Sequence, residues 1–526
     1  MPDPYEAIIV GGGHNGLTCA CYLAKAGLKV LVVEQDHALG GMTISEEVTA
    51  PGFLSDVHAS GYLVAKLSPA PDELELSAHG LELITPDPNW AQVFPDGRCL
   101  TIGRDPAQTA RSIAGFSQRD ADAWQRLYER YQETKPHILA GMNAPPPSLA
   151  KEFGRPEAVD GYRFEFQSAR SWVNECFESE EIRSFLASCA THAALSPDDA
   201  LGGQFAWLFL SAVQDFGASI VKGGMHQVPR ALARVIEAHG GEIRTGAKAE
   251  KILIENGRAV GVRLEGGQTI QAGRLVASSV DPRHLVLDLL GERDVGAEVA
   301  GKIRRYEWGD SFFVIHAALD RPVAYRAGVE AGKAAYVHAG ASSLEELSRT
   351  FLECRSGRLP YRPMVGIVNE AGVDPSRAPE GRGLMKFVVH YVPYRITGDA
   401  TGRVVGTDWD GAKEAYADHI IDWLSESFLP GLRERIIARA VHSPADLERR
   451  IISAVHGTHQ HGAFLPYQVG VMRPIPELGQ YRAPAQNVYL CGAGSHPGSG
   501  VSMAPGRNAA QVICSDLDLL FPGRTG

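Results

Sequence analysis

The stretch "AIIVGGGHNGLTCACYLAKAGLKVLVVEQ" (Ala7–Gln35) constrains the fold more than any other. Four apolar residues, Ala7–Val10, read as a short buried strand. Gly11, Gly13 and Gly16 follow in the G-x-G-x-x-G pattern. The first glycine permits a tight turn, the second lets a pyrophosphate approach the backbone, and the third lets helix and strand pack closely. Leu17, Ala20, Cys21 and Ala24 then give a helical apolar face, and Gly27 is a suitable stop. Lys29–Val33 reads as a second strand ending at Glu34. An acid at that place accepts hydrogen bonds from an adenosine ribose and repels a 2′-phosphate, which disfavours NADP.

The choice between FAD and NAD rests on two further glycine clusters. Gly40 and Gly41 come six and seven residues after Glu34 and allow a second close backbone pass beside the same cofactor. Near the C-terminus, "NVYLCGAGSHPGSGVSMAPGRNAAQVIC" (Asn487–Cys514) repeats the order of strand, glycine turn and apolar helix. Gly492, Gly494, Gly498 and Gly500 open it. A helix starting near Val501 would aim free N–H groups at the cofactor, with Val501 and Ser502 as expected contacts. FAD, longer than NAD and extended across its domain, fits these approaches.

The remainder of the chain narrows the function. Its 526 residues are too many for one compact core. With 51 basic and 62 acidic side chains the formal charge is −11 and no basic run occurs, which argues against nucleic acid as a partner. No apolar run reaches the roughly 18 residues of a membrane span. The longest candidate, Phe205–Val213, is half that length. A secretory signal is not expected, because the first apolar run is broken by "GGGHNG" and has no basic region before it. The eight cysteines form no C-x-x-C pair and read as reduced thiols of a cytoplasmic protein. Cys19 and Cys21 read as packing residues. "NAPPPS" (Asn143–Ser148) reads as a linker, with a peripheral membrane contact as the alternative.

At its two ends the chain resembles the phytoene desaturase-like flavoproteins. "GGMHQVPRALARVIEAHGGEIRTGAKAEKILIENGRAVGVRL" (Gly223–Leu264) strengthens the likeness, and "ASSVDP" (Ala277–Pro282) looks like that family's return to its FAD domain. "DPSRAPEGRGLMKFVVHYVPY" (Asp374–Tyr394) and Val471–Ala510 resemble the branch holding desaturase-type carotenoid ketolases and pyridine nucleotide-disulfide oxidoreductase domain-containing protein 2. The resemblance implies an α/β fold: a discontinuous Rossmann-like FAD-binding domain (1–75, 215–300, 455–526). A mixed-sheet substrate domain with a helical cap would comprise 76–214 and 301–454. It implies that Ala249 contacts adenine through its backbone, and that Met42 stands where the family often has Arg.

No second dinucleotide motif and no redox-active cysteine pair is present, so electrons would leave to oxygen, a quinone or another acceptor. The expected activity is an FAD-dependent oxidoreductase that desaturates, or otherwise oxidises at C–H, a hydrophobic polyene-like small molecule. Alternatives are a redox-neutral isomerase or saturase, an amine-oxidase-like oxidase, and a non-catalytic flavoprotein. Oligomeric state is left open. A pocket for such a substrate calls for aromatic and aliphatic side chains and few charges. Phe53, Tyr62, Phe312, Phe313, Phe464 and Tyr467 are candidates for it, against the alternative of ordinary core. The candidate acid/base residues are His58, after "GFLSDV", and His456, His459 and His461 in "HGTHQHGAF". No cysteine or carboxylate completes a metal set around the last three, so no metal is expected. A helix is expected over Ser117–Gln132, with Ser117 as N-cap and Trp124, Leu127, Tyr128 and Tyr131 on its buried face. Glu307–Asp320 is expected to hold a strand of the substrate sheet.

Overall fold

The computed structural model describes residues 5–147, 159–404 and 406–524. β1 (Tyr5–Val10), α1 (His14–Lys25) and β2 (Val30–Val33) form in the expected order. β1 and β2 run parallel in register, Ala7 opposite Val30 and Val10 opposite Val33. The strand period of two divides their side chains between two layers. Ala7, Ile9, Val30 and Val32 pack with α1 and with the helices Gln227–Ala238 and Ala504–Asp516. Ile8, Val10, Leu31 and Val33 pack on the opposite side with Leu285, Val286 and Leu490. The rest of this seven-stranded sheet comes from far along the chain: Glu242–Arg244, the hairpin Ala249–Leu264, Thr269–Ser278 and Val488–Leu490.

A second seven-stranded sheet orders its strands as Ile436–His442, Ser311–Leu319, Gly383–Val392, Val365–Val368, Tyr336–Ala339, Trp90–Val93 and Cys99–Ile102. One face is apolar. Phe313, Ile315, Phe387, Val389, Val337 and Ile367 pack with Tyr416, Ile420 and Leu424 of the helix Trp409–Ser427. The other face carries His316, Lys386, His390, Tyr336 and Trp90.

Helices Gln118–Met142, Ala169–Cys176, Glu180–Ser188 and Gly202–Phe216 form a third layer around Trp124, Tyr131, Trp172, Phe185 and Trp207. Ser117 caps the first as expected, its hydroxyl accepting from Asp120 N–H at 3.1 Å. That helix runs ten residues beyond Gln132, through Pro136, to Met142. Proline removes one internal hydrogen bond, but Ile138, Leu139 and Met142 add apolar contacts that keep the turn helical. Of the 143–148 loop, Ser148 lies outside the described residues. Asn143–Pro146 is tied down by Arg507, Asn508 and Gln480, which donate to the carbonyls of Asn143, Ala144 and Pro146. Among the described residues all eight cysteines are unpaired, and no helix is long and apolar enough to cross a membrane.

Candidate active site

A cavity of about 710 Å³ runs from the β1–α1 turn across to the polar face of the second sheet. At its first end Gly11 takes φ +101°, and Gly11 N–H donates to Val33 C=O at 2.9 Å. A Cβ on Gly16 would lie 2.2 Å from Gly11 C=O, so that glycine serves helix packing, as its place in the motif requires. A Cβ on Gly13 would meet nothing within 4 Å. Gly13 is also the N-cap of α1, and no side chain caps the N–H groups there. The helix therefore offers open donors to the cavity, an arrangement that suits a pyrophosphate.

Glu34 lies beside this turn. Its carboxylate accepts from Gly12 N–H at 2.6 Å and Asp36 N–H at 2.8 Å. Burial pushes its carboxyl up from the ordinary value, and those two N–H groups pull it back. Each oxygen keeps a lone pair for a further donor. Gly40 and Gly41 pass next to it: Gly40 N–H donates to Gly12 C=O at 2.9 Å, and Gly40 takes φ +124°. Met42 and Ala249 line the cavity too, Met42 packing on Phe312 and Val314.

Of the C-terminal glycines, Gly500 lines the cavity beside Val501. Gly492, Gly494, Gly498 and Ser502 do not. A Cβ on Gly492 would lie 2.3 Å from Ser279 C=O, and one on Gly494 would lie 2.5 Å from Pro282. One on Gly498 would meet the Phe464 ring at 2.7 Å. These glycines let the turn pack on the cavity wall. The helix starts at Ala504, three residues after Val501, because Met503 takes the left-handed φ of +62°. Ser502 Oγ accepts from Ala504 N–H at 3.3 Å.

The four expected histidines separate. His58 lines the cavity, is buried, and has no hydrogen-bond partner at either ring nitrogen among the described residues. Burial, then Lys386 and His442, hold its pKa well below the ordinary histidine value. His459 and His461 line the cavity and are held at about 4, chiefly by burial. His456 does not line it: its ring packs on Tyr394 at 4.9 Å, and its backbone N–H donates to the Glu448 carboxylate at 2.8 Å. Of the aromatic candidates, Phe312 and Phe464 reach the cavity. Phe53, Tyr62 and Phe313 are core, and Tyr467 is exposed with its hydroxyl on Glu307.

The cavity also holds basic residues outside the expectation. His14, His192, Lys386 and His390 all face it. His192 Nε2 lies 2.9 Å from His338 Nε2, and its ring stacks on Phe209 at 4.6 Å. The sequence did carry a signal for two of them. In "LMKFVVHYV" a lysine interrupts an apolar strand-like run, and unpaired lysines are almost never fully buried without a reason. His390 lies four residues on, hence on the same face. Arg473, fully buried, donates to the carbonyls of Gln460, Gly462, Gln468 and Ala493 and shapes the wall that holds His459 and His461. No group of metal-ligating side chains occurs among the described residues.

This arrangement is that of a flavin enzyme. The chain belongs to the flavin containing amine oxidoreductase family, whose model matches residues 16–514. The protein is accordingly an FAD-dependent oxidoreductase of the phytoene desaturase-like branch, as the sequence motifs implied. It is 30% identical to pyridine nucleotide-disulfide oxidoreductase domain-containing protein 2 of Rattus norvegicus, over 98% of this chain and 94% of the relative. It is 26% identical to the lycopene-forming phytoene desaturase of a Paracoccus species, over 98% of both. Wild-type putrescine oxidase bound to putrescine shares the fold, with a TM-score of 0.61 at 15% identity over 98% of this chain and 99% of that one.

Proposed function

We propose that the enzyme removes hydrogen from carbon in an apolar small molecule, by desaturation or a related C–H oxidation. The observation that carries this reading is the wall opposite the second sheet. There the helix Gly202–Phe216 presents Phe205, Leu208 and Phe209 to the cavity, and Phe464 and Met142 extend the surface. The acids that line the cavity are Glu34 and Asp36, with Glu250 and Asp288 on neighbouring elements. All four belong to the end where Glu34 would hold the adenosine ribose, and none faces the aromatic wall. A cationic amine would find no counter-charge there. The likeness to a phytoene desaturase supports the same reading.

When bound, FAD accepts the hydride removed from the substrate. The chain does the rest. Gly13 and the first turn of α1 hold the pyrophosphate. The glycine turn through Gly40 and Gly41 brings Met42 against the cofactor. Residues 1–75, 215–300 and 455–526 act as the FAD-binding unit, and the other two segments position the substrate. The aromatic wall excludes water and orients the carbon to be oxidised. His58 is placed to take a proton, because it lines the cavity and neither ring nitrogen has a partner among the described residues.

Anaerobic mixing of FAD-loaded protein with candidate substrates tests this reading. Apolar alkenes should bleach the flavin and give a product lighter by two hydrogens. Bleaching by amines alone would overturn the proposal. A product of unchanged mass would make the enzyme an isomerase.

A further inference from the structure

The polar face of the second sheet is unusual for a wall that encloses an apolar molecule. Lys386, Val388 and His390 alternate along the strand Gly383–Val392, and all three line the cavity. Alternate residues project to one face about 6.6–6.8 Å apart, so Lys386 and His390 are separated by about 13 Å with Val388 between them. Lys386 is fully buried. Its Nζ donates to His58 C=O and, at 2.9 Å, to Ser60 Oγ. An ammonium has three donors, and no protein acceptor takes the third among the described residues. The acids whose charge reaches it, Asp56 and Glu370, are bound to Arg377 at 2.9 and 3.1 Å, Glu370 through Oε1 alone. Tyr336, also on the cavity wall, has a buried hydroxyl with no partner among the described residues.

A buried ammonium with an unmet donor is costly against hydrocarbon and is relieved by an oxygen acceptor. We propose that Lys386 is a substrate-recognition residue. The substrate carries a carbonyl or carboxylate oxygen that takes its free N–H, while the apolar remainder lies along Val388 toward Phe209. This rests on the apolar C–H substrate proposed above and narrows it to oxygenated members of that class. A site built to hydrogen-bond an oxygen rejects the analogue that lacks it, because the protein donor is then left buried and unpaired.

The test uses FAD-loaded protein and four probes of one ten-carbon skeleton: myrcene, geraniol, geranial and geranate. Each is titrated against the visible spectrum of the bound flavin. Geranial or geranate should bind at least about tenfold tighter than myrcene, and the tighter of the two tells carbonyl from carboxylate. In Lys386→Met with normal FAD content, that preference should shrink to about twofold while myrcene binding holds. Lys386→Arg, which keeps the charge and donors, should retain part of it. A flat wild-type series overturns the proposal whatever the variants do. So does a preference that survives in flavin-loaded Lys386→Met. Tightest binding by myrcene overturns this inference alone and leaves the apolar-substrate reading standing. A flavin shifted by benzylamine and by none of the four overturns both.

Discussion

Two glycines of one motif should fail in different ways when substituted. Gly16→Ala places a methyl 2.2 Å from Gly11 C=O, inside any permitted contact. The β1–α1 unit must open, and the variant should lose soluble yield or unfold at markedly lower temperature even with FAD in excess. Gly13→Ala meets no protein atom within 4 Å, so the protein should fold with near wild-type melting in the absence of FAD. If Gly13 cradles the pyrophosphate as proposed, the methyl takes up that space and FAD retention should fall. Circular dichroism and the flavin-to-protein absorbance ratio separate the two outcomes. Equal folding of both would disprove the packing role given to Gly16. Glu34→Ala should likewise leave the fold and weaken FAD binding by about 1.5–3 kcal/mol, through loss of a charge-assisted hydrogen bond. Unchanged FAD affinity would mean that the ribose lies elsewhere. The histidines make a prediction about pH. A histidine base works when neutral, and burial lowers His459 and His461 to about 4 and His58 well below its ordinary 6.5. If His459 or His461 takes the proton, the acid limb in single-turnover flavin reduction falls near pH 4, and if His58 does, it falls well below 6.5. A limb at 6.5 that vanishes in His58→Ala would show that His58 is far less desolvated than its setting implies.

At the scale of elements, legibility followed the range of the interactions. The β1–α1–β2 unit and the cap at Ser117 are written in local pattern, and each forms where the residues imply. The start of the last helix was placed three residues early, because nothing local shows that Met503 would turn left-handed. His459 and Lys386 could not be joined from sequence at all. One sits in a loop and the other on a strand, and pairing between distant strands brings both to a single cavity. Arg473 belongs to this second kind. Its guanidinium ties four carbonyls of two chain segments together. Arg473→Met would leave those buried carbonyls unpaired at about 1–3 kcal/mol each, less whatever relaxation recovers. Loss of FAD and a lower melting temperature should appear together. Arg473→Lys should not rescue either, since a compact ammonium cannot reach the carbonyls that a planar fork spans. Full rescue by Lys would reduce the role of Arg473 to its charge.

At the scale of the molecule, the question is what keeps two sheets from distant parts of the chain in register around one cavity. Arg377 answers part of it. Fully buried, it pairs with Asp56 at 2.9 Å and Glu370 at 3.1 Å, and donates to Leu54 C=O at 2.8 Å. Asp56 in turn accepts from Met225 N–H at 2.8 Å, just ahead of the helix packed on the first sheet. Glu370 and Arg377 stand between two strands of the second sheet. The cluster thus joins both halves, and its charges act on Tyr336 and Lys386 in the cavity wall. Removing one partner of a buried ion cluster leaves uncompensated charge, which costs about 3–5 kcal/mol. Arg377→Met should therefore lower denaturant stability by about that much, and weaken FAD retention with it if the cofactor takes the cavity as proposed. Arg119→Ala, which breaks an exposed pair with Glu178, should cost no more than about 1 kcal/mol and leave FAD bound. Combining Arg377→Met with Asp56→Asn and Glu370→Gln removes the stranded charges and should restore much of the loss. If stability returns in the triple variant but FAD retention does not, the cluster's charges tune the cavity as well as brace it. If the single variant is as stable as the Arg119 control, the two halves are held by their apolar contacts and the glycine-turn packing alone.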